Sequence, residues 1–187
     1  MKVKRGEFGY IKARKKRALL GVLTMVAIGV AIFLLGLILN KMSNRNIFTV
    51  IAVLFALPGA KYLVAFIVMF PYQSVTRLRY ENVEKKLAPG AVLYTDLVIT
   101  SSEKVMHLDF VVVGNGQVLA VLGNGKQELT YVRKYLTDGV RNWGSGYTVR
   151  ITDSEKSFLA DVAAMKEKEV DEEEERKVKS YLTSLIV

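Results

Sequence analysis

Asp109 stands inside an apolar run, Leu108 to Val113, with His107 two residues before it. Side chains alternate along a strand, so a carboxylate and an imidazole at this spacing share one face. The Asn115-Gly116 pair that follows favours a two-residue type I′ hairpin. Such a turn sets Gly114 opposite Gln117, Val113 opposite Val118, Val111 opposite Ala120, Asp109 opposite Leu122 and His107 opposite Asn124. His107, Asp109, Leu122 and Asn124 then line one face, and Met106, Leu108, Phe110 and Val112 point the other way into the core. A carboxylate among valines costs free energy unless it is hydrogen-bonded or solvated. The face is therefore a candidate ligand site built from His107, Asp109, Asn124 and Lys126, with Asp109 as the one candidate metal ligand. Glu81 and Glu84 lie in a preceding helical segment and are the acids available to join it. Gly123-Asn124-Gly125-Lys126 leads toward a helix, where backbone N–H groups can hold an anion. It lacks the length and the hydroxyl of a Walker A loop, and an ordinary strand-to-helix turn accounts for it.

Lys61 is the other residue whose type and place call for chemistry. It is the only charge in Ile47 to Phe70, a 24-residue apolar run, and it follows Pro58 by three positions. An ammonium within a bilayer costs about 2.5–3.5 kcal/mol on insertion scales. Lys61 is expected either to snorkel past a helix kink at Pro58 or to meet freed carbonyls, a lipid headgroup or an acidic partner subunit. Ala52, Ala56 and Ala60 recur at helical spacing beside it, and Gly29 and Gly36 offer matching surfaces on an earlier apolar run. Small residues let helices approach closely in lipid. These stripes either pack a hairpin against itself or form a homo-oligomer contact.

The elements that must position these groups follow from composition. The chain has 187 residues, a formal net charge of +9, no cysteine and one histidine. Disulfides, thiolate catalysis and cysteine zinc sites are thereby excluded. Residues 1–17 carry eight basic side chains against Glu7, whereas residues 71–187 hold 16 basic and 17 acidic groups. The excess charge belongs to the N-terminal end, so no general nucleic-acid binding is expected of the C-terminal part. Ala18 to Leu39 is 22 residues without a charge, enough to cross the roughly 30 Å hydrocarbon core of a bilayer. Its length and the second apolar run argue against a cleaved signal peptide. The expected organisation is a basic cytoplasmic segment 1–17, a transmembrane hairpin 18–70 with helices 18–39 and 47–70, and a cytoplasmic domain 71–187. Lys and Arg flank the two runs more densely than the Asn40–Asn46 loop, which places both termini in the cytoplasm of a two-pass plasma-membrane protein. The short loop and this bias point to a bacterial membrane. The lipid bilayer is the expected partner, with anionic lipids drawn to residues 1–17, beside a protein partner or a second copy of the chain.

Beyond Pro71 the pattern reads as helix (74–87), strands at 92–100, 104–113 and 118–122, helix (126–142), strand (147–151) and a helical region 154–187. This is an α/β domain of order α-β-β-β-α-β-α. In the last region, Glu172 with Arg176, Glu173 with Lys177 and Glu175 with Lys179 are favourable i, i+4 pairs. Val178, Tyr181, Leu182 and Leu185 form the stripe that docks on the domain.

The order α-β-β-β-α-β and the Asp in Leu108 to Leu122 (LDFVVVGNGQVLAVL) resemble the PD-(D/E)XK nuclease fold, in its nuclease-related-domain type, over residues 74–153. In that family an E-x-K motif on the third strand completes a magnesium site with the Asp. Leu122 and Asn124 stand at the matching positions here, so the motif is degenerate, although Lys126 lies close by. The resemblance implies a non-catalytic relative needing no cofactor, acting as a membrane-anchored cytoplasmic binding or scaffolding module. The alternative is a membrane-anchored nuclease using Mg²⁺ or Mn²⁺ on Asp109 with Lys126 and Glu81 or Glu84. A third reading is a small membrane subunit that works through its hairpin and Lys61.

Overall fold

The computed structural model describes residues 3–43, 45–125, 127–166 and 168–187. The chain divides into two compact units, one made of residues 12–71 and the other of residues 1–11 together with 72–187. The N-terminal boundary thus differs from the expected one. Residues 3–11 fold with the C-terminal domain, and the basic residues 12–17 belong to a helix.

Helix α1 spans Tyr10–Leu39 and starts eight residues before the apolar run, because Lys12 to Arg17 contain no helix breaker. After the turn, α2 (Ile47–Leu54) and α3 (Ala56–Met69) follow nearly end to end. Asn46 caps α2 by accepting from the Thr49 N–H at 3.0 Å. Tyr10–Leu39 and Ile47–Met69 are both long and apolar enough to cross a membrane. The break falls at Phe55 rather than at Pro58. Pro58 has no N–H for the Leu54 carbonyl, and the Phe55 N–H tightens instead onto the Ala52 carbonyl at 3.2 Å. The interruption changes which small residues meet α1. A Cβ on Gly36 would lie 2.5 Å from Phe48 Cβ, and one on Gly29 would lie 3.4 Å from the Ala52 carbonyl. Gly59 is buried beside Met25, but Ala56, Ala60 and Lys61 are exposed. Within one chain the hairpin contact therefore runs through Gly29, Gly36, Ala52 and Gly59, and Ala56 and Ala60 lie outside it.

The second unit is a three-layer domain. Strands β1 (Val92–Thr100), β2 (Val105–Gly114) and β3 (Gln117–Leu122) form an antiparallel meander, and β4 (Thr148–Thr152) joins β3 in parallel. Asn115 (φ 53°) and Gly116 (φ 71°) make the expected tight turn, with Gly114 opposite Gln117. Helices α4 (Arg77–Glu84) and α6 (Glu155–Ala163) cover one face through Val83, Phe158 and Val162, which pack on Phe110, Val112, Leu119 and Val121. The other face is buried as well, and α5 (Leu129–Arg141) and α7 (Glu172–Ser184) contribute Val132, Leu136, Val140, Val178 and Leu182. The helical C-terminal region consists of two helices, each with its own cap, Ser154 and Asp171.

One register expectation fails, and it matters for the site. Phe110 pairs with Val121 and Leu108 with Leu122, so β2 carries one extra residue, Asp109, in a β-bulge. Neighbours on β3 face opposite sides, so Phe110 and Leu108 do too. Leu108 and Met106 thereby move to the α5 and α7 face. His107 turns to the side on which α4 and α6 lie.

Candidate functional site

The bulge gathers three of the buried polar side chains of the domain. On β1, directly across from Asp109, Asp96 adopts a left-handed backbone (φ 58°) in an otherwise regular strand. Asp96, His107 and Asp109 are 0%, 1% and 5% exposed. Each then needs partners, and each finds a different kind.

Asp96 accepts from two backbone N–H groups, Val75 at 3.0 Å and Ile11 at 3.4 Å. Burial pushes its pKa up, against the opposing effect of these bonds and of the Ser74 hydroxyl. Its two donors come from the segments that precede and follow the apolar helices. Asp96 was not among the sequence candidates. The signal was an acid at the centre of VLYTDLVIT, a strand with no other charge.

Asp109 is held by Arg79 of α4, whose Nη2 donates to Oδ2 at 2.7 Å. The same guanidinium gives its Nε to both oxygens of Glu155 on α6, at 3.1 and 2.9 Å. It also lies over the Phe110 ring, 5.3 Å from its centroid. One cation thus ties β2, α4 and α6 together. The carboxylate that the resemblance assigns to a metal carries a guanidinium instead.

His107 is sandwiched rather than bonded. The Tyr72 ring lies 4.8 Å away at 39°, and Asp109 Oδ1 is 3.7 Å from Nε2, beyond hydrogen-bond reach. Neither ring nitrogen makes a well-formed hydrogen bond among the described residues. Burial lowers the pKa of the imidazole, opposed by the nearby charges of Asp109 and Asp96. Its backbone is clamped by Gln127. The Gln127 side chain accepts from the His107 N–H at 2.7 Å and donates to its carbonyl at 2.8 Å and to that of Gly123 at 3.1 Å. That amide replaces the strand partner β2 loses where β3 ends. Gly123 closes the site, since a Cβ there would lie 2.1 Å from His107 Nδ1 and 2.6 Å from Asp109 Oδ1.

The remaining candidates are dispersed. Glu81 pairs with Arg77 at 2.8 Å, and Glu84 accepts from Tyr80 at 3.0 Å. Neither reaches Asp109. Asn124 is the exception: its side chain is exposed, but its backbone lies against the His107 ring and opposes the lowering of the imidazole pKa. Lys126 lies outside the described residues. Helix α5 begins at Leu129, so Gly123 to Gly125 does not open directly onto a helix N-terminus. Among the described residues no three His, Asp or Glu side chains come together as metal ligands. Arg79 occupies Asp109 Oδ2, one of the two oxygens that the carboxylate could offer to a divalent ion. The arrangement is a buried ion-pair clamp. Compared with known proteins, the chain matches no family model, no curated protein and no solved structure.

Proposed function

We propose that this chain is a membrane-anchored cytoplasmic module for binding or scaffolding, built on a nuclease-like fold whose metal centre has been replaced by an internal ion-pair clamp. The observation that carries the proposal is the 2.7 Å contact between Arg79 and Asp109. The element order α-β-β-β-α-β around the bulge supports kinship with the PD-(D/E)XK fold. The occupant of its acidic position argues against nuclease chemistry, which needs an open carboxylate for the ion. Two apolar helices of sufficient length support anchoring. Ile11 and Val75, on either side of those helices, bond to the same Asp96 carboxylate. A pair of spans returns the chain to the side it left, as this requires. The Lys and Arg excess of the flanks supports the cytoplasm as that side.

The test is a calorimetric titration of Mn²⁺ into the full-length protein in detergent, with Asp109→Asn as control, followed by an assay on DNA and RNA. The expected outcome is no saturable binding below about 1 mM that depends on Asp109, and no cleavage. Tight binding abolished by Asp109→Asn, with metal-dependent cleavage, would replace the proposal with the nuclease reading.

A further inference from the structure

We infer that the domain carries a binding site for a phosphate-bearing amphiphile, a phosphate ester with an apolar or planar body, in the cleft between the N-terminal segment and α7. The site is separate from the Asp109 clamp and does not depend on its state. Two adjoining hollows of about 790 and 500 Å³ share Arg5, Tyr94 and Thr183 in their walls. In the smaller one Arg5 meets Arg176 and Lys179, residues more than 170 positions away. These α7 residues, with Ser180 and Thr183, fall at helical spacing on one stripe, while Val178 and Leu182 on the neighbouring stripe are buried against the domain. The fold thus brings like charges together, an arrangement that an anion would relieve.

Among the described residues, internal carboxylates meet that need only at Lys179. Glu7 folds back to accept from the Lys4 N–H at 2.8 Å. Lys179 is paired with Glu175. Among the described residues, neither Arg5 nor Arg176 makes a salt bridge, although Glu172 stands at the i, i+4 position from Arg176. Ser180 and Tyr94 have hydroxyls that bond to no other described residue and can donate to a phosphate oxygen. Guanidinium groups suit this ligand because their planar forks match two oxygens at once. The larger hollow continues from this basic end over Phe8, Tyr80 and Leu93. An apolar or ring-bearing body fits there, with its phosphate at the arginines. A phospholipid headgroup and a soluble nucleotide share that chemistry.

The experiment uses the full chain in nanodiscs of neutral phosphatidylcholine. Dihexanoyl-phosphatidylglycerol and AMP are titrated separately by calorimetry, with dihexanoyl-phosphatidylcholine as the neutral control. Saturable binding of one anionic probe, weakened at least tenfold by Arg176→Gln or Arg5→Gln and unchanged by Arg141→Gln on the exposed part of α5, is the expected result. Binding of the lipid alone assigns a headgroup site, and binding of AMP assigns a soluble phosphate ester. Equal affinity in wild type and Arg176→Gln, or no binding of either anionic probe, overturns the inference.

Discussion

His107 illustrates how a single buried side chain links stability to pH. Its folded pKa lies below the ordinary histidine value, with burial as the main cause. The unfolded chain therefore binds more protons once the pH drops under about 6.5, the free histidine value. Stability tied to His107 is complete above that pH and declines as the pH falls toward the folded value, by at most about 1.4 kcal/mol per pH unit. Asp96 acts with the opposite sign. Its raised pKa means the folded state takes up a proton first, so its contribution grows as the pH falls toward the ordinary aspartate range. The other charges facing the imidazole are Asp109 on β2 and Arg79 on α4, which are paired with each other. Denaturant unfolding of wild type and His107→Gln between pH 7 and 5.5 separates the terms. Wild type is expected to lose stability across this window and the variant to lose less. Equal slopes would remove His107 from the account.

At the scale of elements, the bulge in β2 decides where the polar groups go. A regular pairing would leave His107 and Asp109 on the face covered by α5 and α7, away from Arg79. One extra residue sends them to α4 and α6, where Arg79 and Glu155 are waiting. The bulge also requires a small residue opposite, and Gly123 supplies it. Gly123→Ala sets a methyl 2.1 Å from the His107 ring and 2.6 Å from the Asp109 carboxylate. Both neighbours are buried and cannot swing into solvent. The substitution is expected to destabilise the domain by about 1–3 kcal/mol, read from a lower urea midpoint with an unchanged slope. An unaltered midpoint would mean that the site is looser than these distances require.

For the whole molecule, the consequence of greatest reach is that residues 3–11 belong to the C-terminal domain. Gly6 accepts from the Thr95 N–H at 2.8 Å, Ile11 donates to Asp96 at 3.4 Å, and the Tyr10 hydroxyl donates to the Val187 carbonyl at 2.8 Å. Ile11 is fully buried and Phe8 packs on Tyr80 with ring centroids 5.0 Å apart. Burying an isoleucine contributes about 1.5–3 kcal/mol, and each hydrogen bond about 1 kcal/mol net. A fragment of residues 72–187 is therefore expected to unfold at lower urea than the same domain in the intact chain, by at least about 3 kcal/mol. A synthetic peptide of residues 3–11 added in excess should recover part of the loss. A fragment as stable as the intact domain would show that the N-terminal segment only rests on the surface.

The elements were legible in the amino-acid order because their signals are local. Two apolar runs, the Asn115-Gly116 turn, and the alternation of strands with helices each depend on neighbours within a few residues, and all appear in the structure, with the first helix extended by eight residues at its start and the second run broken at Phe55. The break at Phe55 follows from Pro58 through one missing hydrogen-bond donor, again a local cause. The site was legible only in part. His107 and Asp109 stand out as polar residues in an apolar strand, and they do lie together. Their partners do not follow from spacing: Arg79 is 30 residues before Asp109, Glu155 is 46 after it, and Ile11 reaches Asp96 across 85 positions. A single inserted residue in β2 reverses the faces of Leu108 and Met106, and the alternating pattern of apolar residues is the same with or without it. Both faces of this sheet are buried, so hydrophobic pattern alone cannot choose between the two registers. That choice belongs to tertiary packing, which sets Arg79 against Asp109 and makes that carboxylate one arm of an ion-pair clamp.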